Sequence, residues 1–167
     1  MQTQIEKLES DLEEKHEEVH FEHAADVLSD GINTYLNALN AGDPERWQEG
    51  KIGAQLRERQ FRLTVSESKW SSKLGATLTC YFLLGYHYSL LQLTRTPGYN
   101  YPGICIIDFP PTLADGVEVA DKENYLVEPF VNLLKSPEMR SCQLIAAGRA
   151  FEGLVDVNKV TLTQMWK

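Results

Sequence analysis

The stretch "PGICIIDFPPTLAD", residues 102–115, decides the fold of this 167-residue chain. Its central part, "ICIID" at 104–108, is a continuous apolar run that ends in an aspartate. Such runs are typical of strands in the middle of a parallel sheet. Ligands of open parallel sheets bind beyond the carboxyl ends of the strands, where Asp108 lies. Its carboxylate is therefore either a ligand of Mg²⁺, reached directly or through water, or the polar end of a buried strand.

The segments around this run alternate between strand and helix patterns. Residues 60–67 alternate apolar and polar side chains and predict a half-buried strand. Residues 75–93 are apolar almost all round, which predicts a helix buried on several sides. Further elements are predicted as a helix at about 123–134, an apolar strand at 142–148, a short helix near 150–154 and a last strand at 159–163. This order predicts an α/β unit with right-handed crossovers and a mainly parallel sheet.

The N-terminal 40 residues carry the longest helical pattern in the chain. Its first part has one apolar residue per turn amid many charges, a thin seam of coiled-coil type formed by Ile5, Leu8, Leu12 and Val19. Between Val27 and Leu39 the apolar stripe widens, as expected where a helix docks on a globular body. Gly42, Asp43 and Pro44 then end the helix. The sequence thus predicts a coiled-coil arm and docking helix over 1–41 and a globular lobe over 42–167.

Composition narrows the class of protein. The formal charge of -8, which no basic run offsets, argues against a free-standing nucleic-acid binder. Cys80, Cys105 and Cys142 are odd in number and widely spaced among apolar neighbours, which is typical of reduced thiols in the cytoplasm. The acidic N-terminus has no apolar signal region, and no run reaches the roughly 18 apolar residues of a membrane span. We therefore predict a cytoplasmic protein with no membrane partner.

From about Trp70 onward the chain resembles the C-terminal half of an ABC-type ATPase head, of the kind found in SMC-like and double-strand-break-repair ATPases. "KLGAT" at 73–77 matches the place of the signature loop, and "CIID" at 105–108 that of the Walker B strand. "TLAD" ends in Asp115, at the spacing of the D-loop aspartate. "QLIAAGR" is similar to the switch strand and puts Arg149 in place of the switch histidine. The first 40 residues fit the returning coiled-coil arm of such a head.

This resemblance implies a fold and a function. The fold would be the C-terminal lobe of an ATPase head, and two heads would enclose ATP and Mg²⁺ as a head–head homodimer. DNA would be a partner of the full assembly, in repair, chromosome organisation or antiphage defence. Asp108 would bind Mg²⁺, while Asp115 would couple the two sites and Arg149 would sense the phosphate. Gly75, Ala76 and Thr77 would contact the γ-phosphate of the nucleotide held by the opposite head.

The chain departs from this family pattern in four places. Phe109 replaces the glutamate that acts as general base on the attacking water, so hydrolysis lacks its usual proton acceptor. The signature-like loop has a single glycine and no serine in the usual positions, and Arg149 is a permanent cation instead of a titratable histidine. No G-x-x-x-x-G-K-[ST] motif is present, so a Walker A half would come from a longer chain or another polypeptide. A structural or nucleotide-sensing head without hydrolysis is therefore the alternative.

A second chemistry competes for the N-terminal helix. "HEEVH" at 16–20 satisfies the H-E-x-x-H pattern, which would make His16 and His20 zinc ligands and Glu17 the base of a hydrolase, with His23 one turn further on. A catalytic zinc needs a dry cavity and groups that orient its imidazoles, and a charge-dense arm provides neither. The histidines are better explained as part of a solvated helix face.

Overall fold

The computed structural model describes residues 2–57, 60–108, 112–113, 117–118, 121–148 and 153–161. Within these ranges the side chains of 2–4, 6–20, 56–57, 60, 112–113, 117–118 and 121–123 are outside the description. The fold is mixed α/β, with one three-stranded antiparallel sheet, one two-stranded parallel sheet and one short antiparallel pair. Within the described part of the chain, no helix combines the length and the apolar character that a membrane span requires.

Helix α1, Gln2–Gly42, is the longest element and confirms the predicted N-terminal helix. At 1.5 Å per residue its 41 residues extend over about 60 Å. It ends at Gly42, directly before Asp43 and Pro44, as predicted. The docking stripe is confirmed too, because Leu28, Ile32, Tyr35, Leu36 and Leu39 are all buried. The seam of the first half lies outside the described side chains except for exposed Ile5, so the coiled coil stays a prediction.

Helix α3, Ala76–Leu93, is the main partner of α1. The two helices approach each other most closely where small residues meet. A Cβ atom added at Gly31 would lie 2.5 Å from the Cβ of Ser89, and one added at Gly85 would lie 3.1 Å from a methyl carbon of Ile32. Ser89 is fully buried and donates its hydroxyl proton to the carbonyl of Tyr86, at 2.8 Å. The two helices can therefore pack this closely because Gly31 and Gly85 have no side chain and Ser89 has a small one.

Three antiparallel strands follow α1 in the order β1, β2 and β3, with bounds Ile52–Arg57, Gln60–Val65 and Ser68–Lys69. The strand predicted at 60–67 is confirmed as β2, whereas β1 and β3 were not predicted. Asn33 of α1 fixes the start of the sheet: its amide NH₂ donates to the Ile52 carbonyl and its oxygen accepts from the Ile52 N–H, both at 2.9 Å. Ile52 and Val65 pair in register and are both buried. This sheet therefore packs one face toward α1.

The run "ICIID" forms strand β4, Ile104–Asp108, which pairs in parallel with β7, Gln143–Ala147. The apolar strands predicted at 104–108 and 142–148 and their parallel pairing are thus confirmed. The predicted mainly parallel sheet is wrong for the described residues, because only these two strands pair in parallel and the others pair in antiparallel sheets. A short antiparallel pair formed by β5 (Thr112–Leu113) and β6 (Val117–Glu118) follows β4.

The helix predicted at 123–134 is divided in two. A 3₁₀ helix covers Asp121–Leu126, and helix α4 begins at Glu128 and ends at Leu134. Pro129 explains the division, because a proline has no N–H to continue a helix and is tolerated only in the first turn. A further 3₁₀ turn at Pro137–Met139 leads to β7. Leu126, Phe130 and Leu133 of this segment are buried in the core with α1 and α3.

The predictions for the C-terminal part are not met where they can be checked. Residues 159–161 belong to no strand, so the first three positions of the strand predicted at 159–163 are wrong. Gly153 lies in a turn and Leu154 in no helix, and the other residues of these two predicted elements lie outside the described part. Leu154 is nevertheless buried and joins the core. Burial of one leucine therefore fixes this part of the chain without a regular element.

Candidate functional site

Asp108 is the last residue of β4 and is exposed to solvent. It pairs in register with Ala147, the last residue of β7, so both strands end at the same edge of the parallel pair. This is the edge at which open parallel sheets bind ligands. One accessible carboxylate suits Mg²⁺, which takes one or two protein carboxylates and completes its shell with phosphate oxygens and water. The assignment of Asp108 as a magnesium ligand remains a prediction.

The two faces of the parallel pair differ sharply in exposure. On one face Cys105 is 3% exposed, and its neighbours Leu144 and Ala146 pack against the core. The opposite face, which we call the isoleucine face, is formed by Ile104, Ile106 and Ile145, which are 48%, 69% and 46% exposed. Strands of parallel sheets normally have both faces covered. Sequence reasoning missed this open face, because a continuous apolar run does not reveal which of its residues point outward.

The signature-like loop lies at the start of α3. Gly75 is the residue before the helix, with φ −72° and ψ 175°, and no side chain caps the helix there. The first helical bond runs from the Thr79 N–H to the Gly75 carbonyl at 2.8 Å, so the N–H groups of Ala76 and Thr77 have no acceptor within the helix. Gly75 and Ala76 are exposed, and nothing lies within 4 Å of a Cβ added at Gly75. An anion has open access to this helix end, where the helix dipole favours it.

Two contacts hold the chain just before this loop. Trp70, the first residue of the short helix α2 (Trp70–Lys73), stacks on Phe82 of α3, with ring centroids 5.0 Å apart and planes 20° apart. Lys73 donates to the main-chain carbonyl of Glu49 at 3.1 Å, and its ammonium lies 3.5 Å from the Glu49 carboxylate. The loop is thus fixed on one side to α3 and on the other to the segment that precedes β1.

The remaining predicted site residues lie outside the part of the chain that the structure describes. These are Asp115 and Arg149, and Phe109 lies outside it too. Among the described residues, no hydrogen bond joins Asp108 to the signature-like loop. The roles of all these residues in nucleotide binding therefore remain predictions.

The zinc alternative gains no support. His16, Glu17 and His20 lie on α1, but their side chains are outside the described ones. His23 is exposed, and its ring centroid lies 6.1 Å from that of Tyr99. The described residues contain no group of three or more histidine, cysteine or carboxylate side chains that could hold a metal ion.

No disulfide joins Cys80, Cys105 or Cys142, all of which lie in the described part of the chain. Cys105 is buried within β4, and this burial raises the pKa of its thiol, so the neutral form is favoured. Cys142 is half-buried, with its sulfur 3.2 Å from the Thr94 hydroxyl. Cys105 therefore acts as a small apolar packing group in the core.

Comparison with known proteins assigns no family to the chain. No protein-family model, no curated protein and no solved structure matches it. Its function therefore has to be argued from the arrangement of its own residues.

Proposed function

We propose that this chain is the C-terminal lobe of an SMC-like, ABC-type ATPase head that binds ATP and Mg²⁺ between two heads and moves a coiled-coil arm relative to DNA. The observation that carries the proposal is the parallel pairing of β4 with β7, which sets Asp108 at the carboxyl edge opposite Ala147. Asp108 would bind Mg²⁺ there, and Arg149 and Asp115 would act at the same nucleotide. Gly75, Ala76 and Thr77 would contact the γ-phosphate held by the opposite head.

The isoleucine face supports the second part of the proposal, a missing Walker A half. Two parallel strands with one open apolar face are an incomplete layer, since a parallel sheet needs cover on both faces. Three isoleucines about half or more exposed favour a protein cover over a solvated surface. We therefore assign this face to the Walker A half, supplied by the same or another polypeptide.

Contacts between α1 and the chain beyond β4 support the role of the arm. Tyr35 of α1 donates to the Leu126 carbonyl at 2.9 Å. Arg46, which follows the helix, donates to the Leu39 carbonyl of α1 at 3.0 Å, and its guanidinium lies 3.7 Å from the centroid of the Tyr125 ring. Tyr125 in turn shares a 3.0 Å hydrogen bond with Tyr81 of α3. A displacement of the segment after Asp108 would thus be transmitted to the docked half of α1. This is the direction of coupling that nucleotide-driven arm movement requires.

A head that binds ATP without hydrolysing it is the second candidate, and Phe109 is the observation that favours it. Phenylalanine cannot accept a proton from the attacking water. Binding and head engagement need only Mg²⁺, phosphate contacts and the two lobes. The two candidates share every residue assignment and differ only in turnover.

The test is an assay of the chain assembled with the polypeptide that provides its Walker A lysine. Binding of a labelled ATP analogue and release of phosphate are measured with and without Mg²⁺, for the wild type, for Asp108→Asn and for the matched control Asp26→Asn. Asp26 is exposed on α1. We expect Asp108→Asn to weaken Mg²⁺-dependent binding at least tenfold, since a ligand to the metal is lost, while the control stays at the wild-type level.

Each result of this assay points to one conclusion. Wild-type binding with phosphate release supports the ATPase, and binding without release supports the sensing head. Nucleotide binding that is equal in the wild type and in Asp108→Asn would overturn both candidates.

A further inference from the structure

The outward surface of the antiparallel sheet is a second candidate for function. Ile52 and Val65 are buried toward α1, and by strand alternation the residues next to them, such as Lys51 and Thr64, turn to the opposite face. In register, Gln55 pairs with Arg62 and Thr64 pairs with Lys69, so the side chains of each pair share one face. We call this surface the basic face, formed by Lys51, Gln55, Arg62, Thr64 and Lys69, all exposed except half-buried Thr64.

Charge sets the basic face apart from the rest of the protein. Residues 49–73 contain six lysines and arginines and three glutamates, which gives a local charge of +3. The rest of the chain contains ten lysines and arginines and 21 aspartates and glutamates, a charge of −11. Among the described residues of the three strands none is acidic. The ion pairs of the described part of the chain do not include Lys51, Arg62 or Lys69. The cations are therefore available to an outside partner.

Sequence alone does not reveal this patch, because its cations lie on β2, on β3 and on the residue before β1, with apolar residues between them. Arg62 and Lys69 are seven positions apart in the chain but lie on neighbouring strands, since Lys69 pairs with the residue two positions beyond Arg62. Lys51 joins them because its carbonyl accepts a 3.0 Å hydrogen bond from the Ser66 N–H, which extends the ladder by one pair. The sheet thus collects charges that the sequence disperses.

We infer that the basic face binds the phosphate backbone of duplex DNA. Phosphate contacts are made by arginine, lysine, glutamine and threonine side chains, which are the residue types found on this face. The strongly acidic remainder of the chain repels DNA, so only this face can approach it. Binding of a polyanion rests on charge alone, and the choice of DNA rests on the proposed function.

The experiment measures binding of the full chain to a short fluorescein-labelled DNA duplex by fluorescence anisotropy over a series of salt concentrations, without nucleotide. Three phosphate contacts give a slope of log K against log salt of roughly −2.7. Arg62→Gln should reduce this slope by about one and weaken binding to all sequences alike. Combining Lys51→Gln, Arg62→Gln and Lys69→Gln should abolish binding, with an unchanged thermal midpoint as evidence that the variant is folded.

Arg140→Gln is the matched control, because Arg140 is an equally exposed cation on a different element, at the end of the Pro137–Met139 turn. It should leave both affinity and slope unchanged. An Arg62→Gln slope equal to that of the wild type, or an equal loss in Arg140→Gln, would overturn the inference. So would binding to vesicles of anionic lipid in the absence of DNA binding. Because no ATP is present, a failure of the proposed ATPase leaves this result intact, and the reverse also holds.

Discussion

The hydroxyl of Tyr35 donates a 2.9 Å hydrogen bond to the carbonyl of Leu126, 91 residues further along the chain, and both residues are fully buried. The Tyr35 ring also contacts Tyr88 of α3 and Phe130 of α4, with centroids 5.7 and 5.5 Å apart. One side chain of α1 therefore contacts α3, α4 and the last residue of the 3₁₀ helix before α4. Tyr35 thus links the docked half of α1 to both helices.

We expect Tyr35→Phe to lower the free energy of unfolding by about 1–3 kcal/mol, because the ring contacts survive while a buried carbonyl loses its donor. Urea denaturation followed by tryptophan fluorescence measures the change. Tyr86→Phe is the matched control, since the Tyr86 hydroxyl has no hydrogen bond among the described residues and its loss should have little effect. Equal destabilisation by the two variants would contradict the assigned role of the Tyr35 bond.

Stability should also fall at alkaline pH in a way that depends on Tyr35. Burial raises the pKa of Tyr35 well above 10.0, with the nearby Cys80, Tyr125 and Tyr81 as smaller causes. The unfolded chain releases the phenol proton near pH 10.0 while the folded chain retains it, so the stabilisation is complete below that pH and is lost as the pH rises from there toward the folded pKa.

Unfolding midpoints at neutral pH and above pH 10.0 check this expectation. Tyr35→Phe should lose less stability between the two conditions than the wild type does. Some alkaline loss should remain, because burial also raises the pKa of Tyr88 and of Tyr101. A wild type and a variant with the same alkaline loss would show that Tyr35 is not the group that titrates.

The sequence predicted those helices and strands that have a strong apolar pattern of their own. The wide stripe of α1, the apolar helix α3 and the runs of β4 and β7 are all present. Strand β1 was missed because Gly53 and Ala54 weaken its alternation, and it is held instead by pairing with β2 and by Asn33. Local pattern cannot report a hydrogen bond donated from 19 residues away. The strand predicted at 159–161 is wrong for the opposite reason. Its side chains alternate between polar and apolar, but none of the described strands pairs with it.

The candidate site was predictable to a similar degree. The position of Asp108 at a strand end followed from the apolar run before it, and the pairing with β7 from a second run of the same kind. The isoleucine face and the basic face were not predictable, because each consists of residues from different strands that only register brings together. The candidate site and the two faces therefore depend on strand pairings, of which the sequence indicates only that of β4 with β7.

Because α1 and α3 lie so close together, a glycine-to-alanine substitution in α1 should destabilise the protein, which is the opposite of its usual effect in a helix. Glycine to alanine inside an exposed helix normally stabilises by about 1 kcal/mol. At Gly31 the new Cβ would lie 2.5 Å from the Cβ and 2.8 Å from the Cα of Ser89, which is backbone and cannot move aside. Gly31→Ala should therefore destabilise by about 1–3 kcal/mol.

Thermal and urea unfolding of Gly31→Ala measure this change against Gly75→Ala, where a Cβ meets open space. The control should unfold at or slightly above the wild-type midpoint. If Gly31→Ala instead stabilised the protein, the two helices would have to lie further apart than described here. The same control variant bears on the proposed phosphate contact, because a methyl group there would narrow the access of an anion without altering stability.

The isoleucine face permits a comparison of one substitution at two adjacent residues. Ile106 points outward and is 69% exposed, whereas Ile107 points inward and packs against the core. In the isolated chain, Ile107→Thr should cost about 1–3 kcal/mol, because a hydroxyl replaces a methyl group in contact with apolar side chains. Ile106→Thr keeps the branched β carbon that suits a strand and should change stability by less than about 0.5 kcal/mol.

Assembly with the Walker A half should reverse the importance of the two positions. If that half covers the isoleucine face, Ile106→Thr places a hydroxyl in the new interface, and its dissociation constant should rise about tenfold for each 1.4 kcal/mol lost. Ile107→Thr, once corrected for its lower stability, should bind as the wild type does. Titration calorimetry of both variants gives the comparison. Wild-type affinity in Ile106→Thr would mean that the partner half binds elsewhere, and that the isoleucine face needs a different explanation.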